Sequence, residues 1–186
     1  DRIVQLIEIY NKGEVLEVSD KEQIRLLLIL FSWVLTSSNR WLRDTTSKAM
    51  IEILKDHFEY TEYLLKMFSD VNDPYVIQRL YGIAFGACVK RNYENKETFK
   101  SLVCFVFEDI FNKDMIYPDI LLRDYARLII ERYLMEYPGE LQDYEFEITF
   151  DRFRDYIESQ YSKADFIDLV SNFYWDKFDE EDKIRI

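Results

Sequence analysis

Glycine and proline are scarce, with four and three positions in 186 residues. A chain with so few turn-formers spends little length on turns and most of it on long elements, which favours helices. Cysteine is nearly absent as well. Cys88 and Cys104 each sit among apolar neighbours, as reduced core thiols do, and two cysteines without nearby histidines cannot build a zinc site. That usage fits a reducing cytoplasm. The single histidine, His57, follows Asp56 at an expected helix end and reads as a cap or surface residue. It rules out a multi-histidine metal centre, although catalytic triads are assembled in space and a sequence cannot exclude one. No glycine-rich phosphate loop ending in Gly-Lys-Ser/Thr is present. The longest apolar stretch, 24–35, is too short and too punctuated for a membrane span, and no basic leader precedes it. No cofactor or metal is expected, and no catalytic residue is assigned.

Basic residues are also in deficit, giving a formal net charge of -12. Such a chain repels a phosphate backbone unless its cations are gathered on one face, so nucleic acid is a disfavoured partner. Abundant carboxylates at helical spacing beside Lys and Arg read as solvated faces with i,i+4 pairs. The charge becomes most negative around Asp176, Asp179, Glu180, Glu181 and Asp182, which reads as a solvated acidic end.

What is plentiful is apolar surface, with 48% hydrophobic and 17% aromatic residues. The length suits one domain, or about four stacked helix pairs of roughly 40 residues each. Opening on Asp1 and closing in helix-like composition at Ile186, the sequence reads as a fragment of a larger protein.

Helical periodicity places a short leading helix over 2–10, ended by Asn11-Lys12-Gly13. Ser19 and Glu22 have capping-box spacing, and the helix that follows is apolar almost all round over 24–34, which predicts burial between neighbours. Ser37-Ser38-Asn39 interrupts, and 40–55 resumes with Leu42, Ala49, Met50, Ile53 and Leu54 inward. Further helices are expected over 60–68, 74–91, 98–111 and 119–136. Asp73 caps Pro74, Pro118 opens the last, and Pro138-Gly139 closes it. Gly82 and Gly86, four apart in one helix, suggest close approach of another backbone, or a ligand against bare backbone. Residues 144–150 alternate apolar and charged, the strand template, and read as an isolated extended segment. Helix-like spacing returns over 151–161 and 164–178 as a cap to the stack.

Three segments superpose at the start of their helices: Leu42-Arg43-Asp44, Tyr75-Val76-Ile77-Gln78-Arg79 and Leu122-Arg123-Asp124-Tyr125-Ala126-Arg127. Their offsets, about 34 and then 46 residues, lie within the range of helix-pair repeats. The expected fold is all-α: a HEAT/armadillo-like α-α superhelix forming one domain over 1–186. A leading helix occupies 1–18, helix-pair repeats 19–138, and an acidic segment 139–186. Asp73-Pro74-Tyr75-Val76 ahead of Arg79 resembles the HEAT pattern, in which an aspartate at the turn and a basic residue in the second helix pair between adjacent repeats. The same segments, with Ser38-Asn39-Arg40-Trp41 ahead of Leu42, resemble a helical-repeat region of large bacterial ATP-binding proteins. These include STAND-type NTPases of the antiphage, AVAST-like kind. That resemblance covers 19–138 and implies a sensor or scaffold role toward a protein partner, with the NTPase upstream.

Candidate partner-binding or repeat-ladder residues are Arg40, Trp41, Arg43, Asp44, Asp73, Tyr75, Arg79, Arg123, Asp124 and Arg127. Ladder pairing, a partner surface and phosphate contact are all open to the arginines. The aromatics Trp41, Tyr75, Tyr125 and Trp175 could anchor an interface or fill the core. The leading function is a non-catalytic protein-recognition module. The alternatives are an enzyme on a HEAT-like scaffold, such as a DNA glycosylase, and a purely structural linker or oligomerisation segment.

Overall fold

Seven helices account for most of the 2–12, 20–91, 96–112 and 119–138 stretches, which are the residues described by the computed structural model of the chain. They are α1 (Arg2–Asn11), α2 (Lys21–Val34), α3 (Arg40–Asp56), α4 (Tyr60–Phe68), α5 (Pro74–Lys90), α6 (Lys96–Ile110) and α7 (Ile120–Glu136). No strand occurs among the described residues, and the protein is all-α. None of these helices is long and apolar enough to cross a membrane. The chain divides into two units, Asp1–Glu136 and Tyr137–Ile186, and all seven helices belong to the first. Ser19, Pro118, Gly139, the expected extended segment 144–150, the expected helices 151–161 and 164–178, Trp175 and the acidic run 176–182 lie outside the described residues.

Packing sorts the helices into two layers. The odd-numbered helices form one row, α1 on α3, α3 on α5 and α5 on α7, while α2, α4 and α6 form the other. Each even helix also packs on the odd helix after it, so α2–α3, α4–α5 and α6–α7 are successive pairs. The core lies between the rows. Phe58, Phe99 and Tyr133 meet edge to face there, with ring centroids 5.7 and 5.1 Å apart, a geometry that aromatic quadrupoles favour.

Start signals set the register of the odd row. Asn39, Asp73 and Asp119 sit in the position ahead of α3, α5 and α7. Their side chains accept from the backbone amides of Leu42, of Tyr75 and Val76, and of Leu122, which have no partner inside the helix. His57 is the C-cap of α3, its amide donating to the Ile53 carbonyl.

Three expectations need correction. The cap of α2 is Asp20, whose carboxylate accepts from the Glu22 amide, and the Glu22 side chain bonds Arg25 one turn on; Ser19, read as the cap, lies outside the described residues. α2 is not buried all round. Ile24, Leu28, Phe31 and Ser32 face the neighbouring helices, but Leu26, Leu30 and Trp33 are exposed, because α2 is the end member of its row. The glycines of α5 admit side chains, not a neighbouring backbone. A Cβ on Gly82 would lie 3.1 Å from the Tyr125 ring, and one on Gly86 would lie 2.6 Å from Ile51 Cδ1.

Candidate partner-binding face

Helices α3, α5 and α7 run parallel and in register, since contacts between them join start to start and end to end. Gln78, early in α5, donates to the Asp119 carboxylate at the start of α7 at 2.8 and 3.1 Å. Arg79 bonds Asp44 of α3 at 2.8 Å and also reaches the Ser47 hydroxyl. Near the other end, Lys90 of α5 pairs with Glu52 of α3. Side-chain bonds therefore lace the α3–α5 seam along its length.

Tyr75 sits at the head of that seam between two guanidiniums. Arg43 lies over its ring at 5.1 Å and Arg79 at 5.0 Å, while Arg79 Nε donates to the phenolic oxygen at 2.7 Å. Burial by itself pushes the phenol up, but bonding and positive charge from Arg79 and Arg43 outweigh it and hold it below its ordinary value. The Asp44 carboxyl is held low chiefly by the bond from Arg79. Arg43 also donates to the Ser37 carbonyl at 2.6 Å, tying the α2–α3 turn to the same cluster.

Two hollows open along this seam. The first, about 330 Å³, is lined by Asp44, Ser47, Tyr75, Arg79, Gly82 and Tyr125 among others. Gly82 makes room for the Tyr125 ring, which stacks on Phe85 with centroids 6.5 Å apart. The second hollow, about 540 Å³, is lined by Lys48, Glu52, Phe85, Gly86, Val89 and Lys90 with others. Ile51 borders both, and its side chain, resting on Gly86, divides them.

The candidate residues named from sequence divide accordingly. Arg43, Asp44, Tyr75 and Arg79 come together in one cluster. Arg40 approaches Asp44 at 3.5 Å from the same helix, its side chain 86% exposed, and Trp41 projects half-exposed beside it. Asp73 caps its own helix and is not the aspartate that Arg79 holds. On α7, Arg127 is taken up within its own helix by Asp124 and Glu131. Arg123 is partly buried, and desolvation lowers its guanidinium's affinity for the proton.

Sequence reasoning passed over Gln78, Ser47, Glu52 and Lys90. A signal was there: Arg79 and Lys90 lie three turns apart on α5, and Asp44, Lys48 and Glu52 recur at four-residue spacing on α3. It also passed over the most deeply buried ion pair among the described residues. Arg91, its side chain 1% exposed, pairs with Glu136 at the far end of α7, with its guanidinium 3.9 Å from the Phe99 ring centroid. Among the described residues no group of three or more His, Cys, Asp or Glu is placed to hold a metal ion.

These features define an all-α protein of layered helix pairs with a grooved, charge-laced face on one row. No family model, curated protein or solved structure compared with the chain matches it.

Proposed function

We propose that this chain is a non-catalytic protein-recognition module, a HEAT/armadillo-like stack whose odd-helix row receives a partner. One observation carries this reading: the α3–α5 seam, with its two hollows, is walled by tyrosine and arginine side chains at Tyr75, Arg79 and Tyr125. Those residue types concentrate binding energy at protein interfaces, and stacked helix pairs commonly recognise partners through an extended face. In line with the resemblance to bacterial NTPase repeat regions, the module serves as the partner-sensing part of a larger cytoplasmic protein. A peptide-display selection on the whole chain tests the reading. Enriched peptides should lose binding on Tyr125→Glu, which blocks the first hollow, and keep it on Lys66→Gln in the other row. Failure to enrich any peptide sensitive to the seam removes the proposal.

A second reading, an oligomerisation segment, is favoured by the exposed stripe Leu26, Leu30 and Trp33 on α2 with Met67 nearby on α4. Light scattering on the purified chain decides it. A monomer unchanged by Trp33→Glu removes this reading and leaves the first standing.

A further inference from the structure

In a chain of net charge -12, α3 and α5 run the other way. Together they carry six cations, Arg40, Arg43, Lys48, Lys55, Arg79 and Lys90, against Asp44, Glu52 and Asp56, and α5 has no carboxylate. The pairing along the seam is lopsided. Asp44 has Arg79 at 2.8 Å and Arg40 at 3.5 Å, and Glu52 has Lys55 at 2.8 Å together with Lys90. Two further cations are left over. Lys48, exposed at the edge of the second hollow, makes no ion pair among the described residues. Arg43 spends one terminal nitrogen on Ser37, lies over the Tyr75 ring, and has no carboxylate partner among the described residues. A carboxylate arriving from outside therefore meets surplus positive charge in a partly desolvated groove, where charge-assisted bonds are strongest.

We infer that the α3–α5 seam binds an acidic peptide segment in extended form, its carboxylates toward Arg43, Lys48 and Lys90 and its apolar side chains in the two hollows. This rests on the protein-recognition reading and specifies the partner's chemistry. The eleven-residue step from Arg79 to Lys90 covers roughly 16 Å of helix, which about five residues of extended chain span. The apolar contacts are on hand: Tyr125 in the first hollow, and Phe85 and the half-exposed Val89 in the second. A nucleic acid is the poorer fit to the same charge. A long polyanion feels the field of the whole acidic chain, while a short peptide meets only the local surplus.

The test is fluorescence anisotropy of the full chain with labelled hexapeptides alternating leucine with glutamate, glutamine or lysine, and with a single-stranded DNA dodecamer. The glutamate peptide should bind about tenfold more tightly than the glutamine peptide, with the difference shrinking as salt is added. The double variant Lys48→Gln/Lys90→Gln should lose most of that preference. Lys21→Gln/Lys66→Gln, an equal charge change in the other row, should retain it; melting curves confirm that both stay folded. Equal binding of the glutamine peptide, tighter binding of the lysine peptide or the DNA, or indifference to the seam variant overturns the inference. If uncharged peptides bind and Tyr125→Glu abolishes it, the recognition module survives and only the acidic partner falls. If no peptide of any charge binds here or in the display selection, both fall.

Discussion

Arg79 of α5 reaches across to Asp44 of α3, guanidinium to carboxylate at 2.8 Å, and ties together the second turns of two parallel helices. Because that bond holds the Asp44 carboxyl below its ordinary value, its contribution is fully present above the unfolded carboxylate pKa of about 3.9. It is lost as pH falls through the lowered folded value. With the Asp44 side chain 44% exposed, screening keeps the effect small. A double-mutant cycle with Arg79→Ala and Asp44→Ala should give a coupling of about 0.5 kcal/mol at pH 7 and a steadily smaller one as pH falls below the ordinary carboxylate range. A coupling that persists in acid would show that packing, not the ion pair, joins the two residues.

The buried pair at the other end of α5 is a different case. Glu136 takes both Arg91 and, at 2.6 Å, Arg132, and its loss strips this carboxylate from a guanidinium held in the core, so Glu136→Ala should cost about 3 kcal/mol or more in urea unfolding. Replacing both partners with apolar residues, Arg91→Met with Glu136→Leu, should cost less than Glu136→Ala alone. If the double replacement proves the more damaging, desolvation does not dominate this site.

Gly86 sits beneath a movable side chain. Alanine would gain about 1 kcal/mol of helix propensity but needs Ile51 Cδ1 to rotate away, and Ile51 borders open space on both sides. Gly86→Ala should therefore be neutral within about 0.5 kcal/mol, and should stabilise by about 1 kcal/mol in an Ile51→Ala background. At Gly82 the neighbour is the broad face of the Tyr125 ring, so Gly82→Leu should cost about 2 kcal/mol through overpacking. Thermal melts of the four variants check the ordering, which a uniform loss at both glycines would contradict.

The two thiols should separate by reactivity. Neither is in a disulfide; Cys88 is wholly buried and Cys104 partly exposed, and desolvation drives the Cys88 thiol pKa far up. In the folded protein at pH 8, Ellman's reagent should titrate Cys104 first and leave Cys88 untouched until denaturant is added. Fast labelling of Cys88 would reveal opening at the end of α5.

Asp119 does two jobs, accepting from the Leu122 amide at 3.0 Å and from Gln78 of the neighbouring helix. Asp119→Ala should cost about 1.5 kcal/mol, toward the upper part of the range for a lost N-cap. Gln78→Ala should cost less, because the cap survives it. Equal losses would mean that the inter-helix bond is the larger part.

Much of the backbone was legible because its signals are local. Tyr60–Phe68 matches the residues read from periodicity, and the Asp73-Pro74 start is where the cap and the fixed proline φ put it. The offsets read between Leu42, Val76 and Leu122 match those between the caps Asn39, Asp73 and Asp119. The site was half legible. Arg43, Asp44, Tyr75 and Arg79 were singled out because they recur at helix starts, but their true partners were not, since Asp73 and Asp44 are equally plausible mates for Arg79 in one dimension. α2 was misjudged for a similar reason: an apolar sequence reports what could be buried, not whether a neighbour stands on both sides.

By itself the sequence determined the all-α class, most helix starts and the positions of most turns, because caps, prolines and apolar spacing act over a few residues. Only the tertiary structure decided that α3 and α5 lie parallel and in register. That choice brings Asp44 to Arg79 and Glu52 to Lys90 across 35 and 38 positions of chain, seats Ile51 and Tyr125 on bare glycine backbone, and gathers a surplus of cations on one face of an acidic protein. Register between helices is set by the packing of side chains against one another, which no local stretch of sequence contains.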